Sequence, residues 1–170
     1  MKNNDAPEPW MRGIVPGIHP VTAHLLRAIE QIREDADTAL NGLSVSQIWS
    51  RPNGMTSAGF HAKHLAGSTE RLSTYLAGNP LTPDQLSAIA AETEGEETPA
   101  ELLASINTTL DRYDNLIRNL NQEEFGIIRE IGRRRYQTTA ISVAIHIVEH
   151  AQRHIGGLIA AAKLARAAGN

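Results

Sequence analysis

Apolar residues recur every three or four positions in four long stretches of this chain, a spacing that is typical of amphipathic α-helices. The stretches cover residues 20–40, 57–77, 99–120 and about 138–168. The first begins at Pro20 and ends before Gly42, residues that favour a helix start and a helix stop. Hydrophobic residues make up 41% of the chain but aromatic residues only 4%, a balance that favours helices over strands. The pattern predicts an all-α protein, a four-helix bundle.

The segments between these helices predict the remaining organisation. Loops are expected over 44–56, 92–97 and 121–137, and a short extra helix over 82–91. The last loop precedes the final helix and is expected to contain a short hairpin around Ile128. Residues 1–18 contain several Pro and Gly and read as an N-terminal arm that packs through Trp10 and Ile14. Residues 19–168 are expected to form one domain.

Composition and charge exclude several classes of protein. The 170 residues include no Cys, so disulfides, thiolate metal sites and Cys nucleophiles are excluded. No apolar run is long enough to span a membrane, and no secretory signal is visible at the start. The net charge of −3 gives no reason to expect nucleic acid as a partner. We therefore expect a soluble, cytoplasmic protein without nucleic-acid or membrane partners.

Three histidines recur at every fourth residue of the last helix, namely His146, His150 and His154. This spacing places them one above another on one face, where two imidazoles can bind one divalent ion. A third histidine at the same spacing is much rarer by chance than a pair. Val143 and Leu158 share their side of the helix, so the histidines are expected to face the apolar interior.

A second apolar strip on the last helix is formed by Ile141, Val148, Ile155 and Ile159. One face of a bundle rarely needs so wide an apolar arc. The strip therefore suggests a contact with a second subunit, although the long loops could cover it instead.

The second long helix carries a polar strip beside its apolar face, formed by His61, His64, Ser68 and Tyr75. In a bundle this strip can meet the histidines of the last helix. Three imidazoles from two helices would make a site with open coordination positions, as in catalytic zinc centres.

Two short motifs resemble the DinB-like (DNA-damage-inducible) family. Residues 60–68, Phe-His-Ala-Lys-His-Leu-Ala-Gly-Ser, look like that family's second helix, and residues 150–157 look like its final-helix signature, His-Glu-x-His-His-Arg-Gly-Gln. The chain departs from the signature at Ala151, where the family has Glu, and at 155–157, where Ile-Gly-Gly replaces Arg-Gly-Gln.

The resemblance implies a four-helix bundle, commonly a homodimer, in which His64, His150 and His154 bind zinc or nickel. It further implies a metal-dependent hydrolase or thiol-dependent S-transferase, with a small molecule or a thiol as substrate. His61, His146 and Tyr75 are the candidates for a catalytic acid or base. His61 could also replace His64 as a ligand.

Four other points of interpretation remain open. The bundle can bind metal without turnover, for example in a stress response, or can be purely structural. The sequence His146-Ile-Val-Glu149-His150 also matches the inverted zinc-protease signature, with Glu149 as the base. The protease interpretation requires His146 as a ligand, whereas the bundle interpretation requires His154. Finally, the run 133–135, three consecutive Arg, is either a solvated loop or an anion-binding or nucleic-acid-binding patch.

Overall fold

The computed structural model of the protein describes residues 6–168 and is mostly helical. Within that range the α-helices are α1 (Pro20–Leu40), α2 (Val45–Trp49), α3 (Ala58–Leu76), α4 (Pro83–Ser87), α5 (Pro99–Arg118) and α6 (Ala140–Ala168). Short 3-10 turns cover Pro9–Met11, Pro52–Gly54, Ala88–Glu92 and Gln122–Glu124, and strands β1 (Ile128–Ile131) and β2 (Tyr136–Thr139) precede α6. The four long predicted helices are confirmed.

The four long helices enclose one apolar core. α1 packs against α5 and α6, and α3 packs against the same two helices from the other side. Ile32, Leu65, Ile106 and Leu158, one from each helix, have no exposed surface. The hydroxyl of the buried Tyr113 donates a hydrogen bond to the Ala144 carbonyl at 2.6 Å. It thus ties α5 to α6 at a buried point.

The prediction of a loop over 44–56 is wrong for its first half, where the structure has α2. The Ser44 hydroxyl accepts from the Gln47 backbone, and the Gln47 side chain accepts from the Ser44 backbone at 3.0 Å, which starts a helix. Ile48 is fully buried, and Trp49 packs against the core. The expectation that these two residues fold back onto the core is confirmed.

The short extra helix is shorter than predicted. α4 ends at Ser87, and the chain continues as a 3-10 turn to Glu92. Glu92 was expected in an acidic linker, but its side chain is only 4% exposed. The linker interpretation is therefore wrong at its first residue.

The loop before the last helix contains the expected hairpin. β1 and β2 pair antiparallel, with Ile128 opposite Thr139 and Ile131 opposite Tyr136. Gly132 and Arg135, at the two ends of the turn, have positive φ angles of 70° and 52°. The all-α prediction thus needs one correction, a two-stranded sheet.

The N-terminal arm is attached differently from the prediction. Trp10 and Ile14, expected to pack inward, are 62% and 88% exposed, whereas Pro9 is buried. The Arg12 guanidinium pairs with the Glu34 carboxylate at 2.6 Å. Residues 1–5 of the predicted arm lie outside the described range.

The second apolar strip of α6 is covered within the chain. Val148 and Ile155 are only 7% and 2% exposed, and Ile141 and Ile159 pack against the core. The strip is therefore not a free apolar face, and its width no longer argues for a subunit contact there. The homodimer itself stays a prediction from the resemblance.

Within residues 6–168, no helix combines sufficient length with sufficient apolar character to cross a membrane.

Candidate metal centre

The packing of α3 on α6 brings His64, His150 and His154 together. One ring nitrogen from each lies within 4.8 Å of the others. The Nε2 atoms of His64 and His150 are 3.1 Å apart. Two nitrogens bonded to one tetrahedral zinc at about 2.0–2.1 Å lie roughly 3.4 Å apart, so this spacing fits a shared ion. The three histidines are therefore positioned to bind a metal ion, as the sequence predicted.

Local structure fixes where these side chains lie along the helices. The Ser57 hydroxyl caps α3 by accepting a hydrogen bond from the Phe60 backbone at 3.1 Å, so the helix starts two turns before His64. On α6, His150 and His154 are one turn apart and their ring centroids are 4.7 Å from each other.

A buried carboxylate orients His64. Glu92 Oε2 lies 2.7 Å from His64 Nδ1, and Glu92 Oε1 accepts a hydrogen bond from the Arg71 guanidinium at 2.6 Å. An ionised carboxylate can only accept, so the proton of the His64 ring is on Nδ1 and the lone pair is on Nε2. Carboxylates commonly hold metal-binding histidines in this way.

Gly67 makes room for this carboxylate. A Cβ at position 67 would overlap the Glu92 carboxylate and crowd the Arg71 guanidinium. The absence of a side chain thus lets α3 and the 3-10 turn that ends at Glu92 approach closely.

The pKa values of the imidazoles and of the carboxylate are all lowered, but for different reasons. Burial and the neighbouring imidazoles lower the pKa of both His150 and His154 to about 4, and the same causes lower the pKa of His61. Burial opposes ionisation of Glu92, but hydrogen bonds from His64 and Arg71 hold its pKa below the usual value. At neutral pH His150 and His154 therefore keep the uncharged form that a metal ligand needs.

His61 lies at the edge of the cluster. Its Nδ1 is 3.2 Å from Nδ1 of His154, which leaves Nε2 of His154 as the ligand atom. Phe60 stacks on the His64 ring with centroids 5.3 Å apart, and its edge meets His61. His61 is thus a neighbour of the three grouped histidines, not one of them.

The other two catalytic candidates lie further away. His146 is 49% exposed and pairs loosely with Glu149 at 3.6 Å. Its ring centroid is 5.8 Å from that of His150, and it is outside the group of three. Tyr75 is eleven residues beyond His64 on α3, which is about 16 Å along the axis. Neither belongs to the group of three, and the pairing of His146 with His150 that the protease alternative needs is not favoured.

The sequence interpretation missed Glu92 and Arg71. Glu92 sits in an acidic stretch that looks solvated, and its partner His64 is far from it in sequence. The available signal was Arg71, seven residues after His64 and therefore two turns further on the same face of α3. A buried arginine needs an acidic partner, and Arg71 is 8% exposed.

The cluster has the chemistry of an open metal site. Three neutral nitrogen donors suit zinc, nickel, copper and iron. The His64 side chain is 21% exposed, so the centre is open to solvent on one side. Within residues 6–168, only the three histidines form such a group of possible ligands, which leaves coordination positions for water or substrate.

Two adjacent glycines test the packing around His61. In Gly157→Ala the new Cβ would overlap the His61 ring, whereas in Gly156→Ala it would meet no atom within 4 Å. We expect Gly156→Ala to raise the free energy of unfolding by about 0.5–1 kcal/mol, because Ala favours a helix interior over Gly. Gly157→Ala should give no such gain and should shift the imidazole NMR signals of His61 and His154. Equal stabilisation in urea denaturation would contradict the contact.

Comparison with known proteins agrees with the motifs and the geometry. Residues 28–158 match the family model described as DinB superfamily, and this range includes all three grouped histidines and Glu92. Among curated proteins, none matches the chain. The match covers well over half of the chain, and the chain therefore belongs to the DinB superfamily.

Proposed function

We propose that this protein is a four-helix bundle that binds one divalent metal ion through His64, His150 and His154 and acts on a small molecule at that centre. Zinc and nickel are the ions that we favour. The reaction class is metal-assisted hydrolysis or transfer of a thiol to a small electrophile.

The observation that carries the proposal is the pair of Nε2 atoms of His64 and His150, 3.1 Å apart, with the carboxylate of Glu92 on the opposite nitrogen of His64. Two hydrogen-bonded imidazoles alone do not require a buried carboxylate behind one of them. Such a carboxylate raises the basicity of the imidazole and fixes its ring, which a metal ligand requires.

The open side of the centre supports a reaction on a small molecule. When bound, a divalent ion supplies a Lewis acid that lowers the pKa of a coordinated water or thiol. His61 lies beside His154, where burial lowers its pKa and favours the neutral ring. The apolar ring of Phe60 limits the access of water to His64.

The alternative is a bundle that binds metal without turnover. It is supported by the positions of two of the three candidate bases, because Tyr75 and His146 lie outside the group of three histidines. Metal binding is common to both functions, so the experiments separate binding from catalysis.

Metal content tests the centre directly. Protein purified without a histidine tag should carry, or take up on titration with zinc or nickel, about one ion per chain. His154→Ala should weaken binding at least tenfold, because it removes one of three ligands. His24→Ala, which removes an exposed histidine on α1, is the matched control and should bind as the wild type does.

Elemental analysis and competition with a chromophoric chelator give the two readouts, and circular dichroism checks that each variant is folded. The proposal fails if the wild type takes up no ion. It also fails if the His24 and His154 variants lose the same amount of affinity.

Glu92→Gln tests the orientation of His64. Glutamine has one acceptor oxygen where the carboxylate has two, so it can accept from only one of His64 and Arg71 in the same geometry. Its NH2 group would face the other donor. Metal affinity should fall by about 10–100-fold while the three ligands remain. Glu94→Gln, at an exposed carboxylate nearby, is the control. Unchanged affinity in the Glu92 variant would contradict the role of this carboxylate.

Activity is tested on metal-loaded protein with small electrophiles, in the presence and absence of low-molecular-weight thiols. Turnover should be lost in His154→Ala and kept in His24→Ala. Turnover lost in His146→Ala but kept in His154→Ala would favour the protease interpretation. A metal-loaded wild type without turnover on any of these substrates would support binding alone.

A further inference from the structure

A cavity lies at the opposite end of α3 from the histidines, with a volume of about 580 Å³. It is enclosed by the end of α3, the segment leading into α4, and the β1–β2 hairpin. Its walls include Tyr75, Leu81, Leu86, Ile128, Arg129, Glu130, Arg133 and Arg135. The volume is within the range of small-molecule sites.

The charges on the cavity wall do not cancel. The Arg135 guanidinium is paired with the Glu130 carboxylate at 2.6 Å, which neutralises both. Arg129 and Arg133 remain, and the cavity wall therefore has a net positive charge in a chain of net charge −3.

These two arginines differ in how they are held. Arg129 donates to the carbonyls of Leu76 at 2.6 Å and of Ile128 at 3.3 Å, so its guanidinium is fixed at the C-terminal end of α3. Arg133 has no hydrogen bond or ion pair with any described residue. It lies in a turn bounded by Gly132 and Arg135, both with positive φ, and its guanidinium is free to bind an anion.

Much of the rest of the wall is apolar and partly open. Leu86 and Ile128 are 41% and 52% exposed, although both are large apolar residues. Leu81 and the ring of Tyr75 extend this surface, and the Tyr75 hydroxyl has no hydrogen-bond partner among the described residues. An anionic head group and an apolar body would thus each find a matching part of the wall.

We propose that this cavity binds a small amphipathic anion, a carboxylate or phosphate monoester attached to an apolar chain, with its head group on Arg133 and Arg129. The site is separate from the histidine centre, because Tyr75 is about 16 Å along α3 from His64. The proposal stands whether or not the histidines bind metal. It also gives Arg133, the first residue of the arginine run, a role that neither the fold nor the histidine centre requires.

Octanoate and octyl phosphate are the probes, octanol is the neutral control, and binding is measured by calorimetry and by NMR on the full chain. Arg133→Gln should weaken binding of both anions about tenfold or more, as expected for loss of a charge-assisted hydrogen bond. Arg134→Gln removes the same charge from the same turn, but Arg134 donates to the Tyr136 hydroxyl and does not line the cavity. This control should bind within about twofold of the wild type.

The two head groups identify the source of the anion. Preference for octanoate assigns a carboxylate ligand, and preference for octyl phosphate assigns a phosphate ester. The proposal is overturned if octanol binds as tightly as the anions, if no anion binds at about 5 mM, or if both arginine variants weaken binding equally. Binding of a single-stranded oligonucleotide that both variants weaken equally would also overturn it in favour of a nucleic-acid patch. Metal content should be unaffected by Arg133→Gln.

Discussion

Between α3 and the turn after α4, one carboxylate accepts hydrogen bonds from two sides. Glu92 is paired with Arg71 at 2.6 Å and with His64 at 2.7 Å, and it is almost completely buried. Removing one partner of such a buried pair typically costs about 3–5 kcal/mol, because the other charge loses its compensation. The orientation of His64, and with it the approach to His150, depends on this carboxylate staying ionised and in place.

The cluster also depends on how closely the backbones approach. The Glu92 carboxylate occupies the space that a side chain at Gly67 would take, and the His61 ring occupies the space beside Gly157. A glycine in a helix interior destabilises the helix by about 0.5–1 kcal/mol relative to alanine. In both helices the glycine makes room for a polar side chain of the cluster, Glu92 beside Gly67 and His61 beside Gly157. The cluster is therefore held by polar contacts as well as by the apolar core.

The sequence predicted the long helices well because their signals are local. Pro20 and the capping pair Thr98 and Glu101 mark helix starts, and the apolar spacing gives the buried faces. The four-residue histidine spacing and the resemblance together predicted the three grouped histidines. Glu92 could not be found in this way, since its burial depends on Arg71, more than twenty positions earlier. The same holds for the apolar strip of α6, whose burial is a property of the whole fold.

The turn that carries Glu92 is otherwise a surface feature, with Ile89 45% exposed. Loops of this kind usually tolerate insertions and deletions, since little depends on their length. Here the number of residues between Gly78 and Glu92 determines whether a carboxylate reaches the interior. A relative with a shorter connection at this point could keep every histidine and still lose the acid that aligns one of them. Superfamily members that retain this acid would then differ from those that have lost it in the length of this loop, and not only in their histidine motifs.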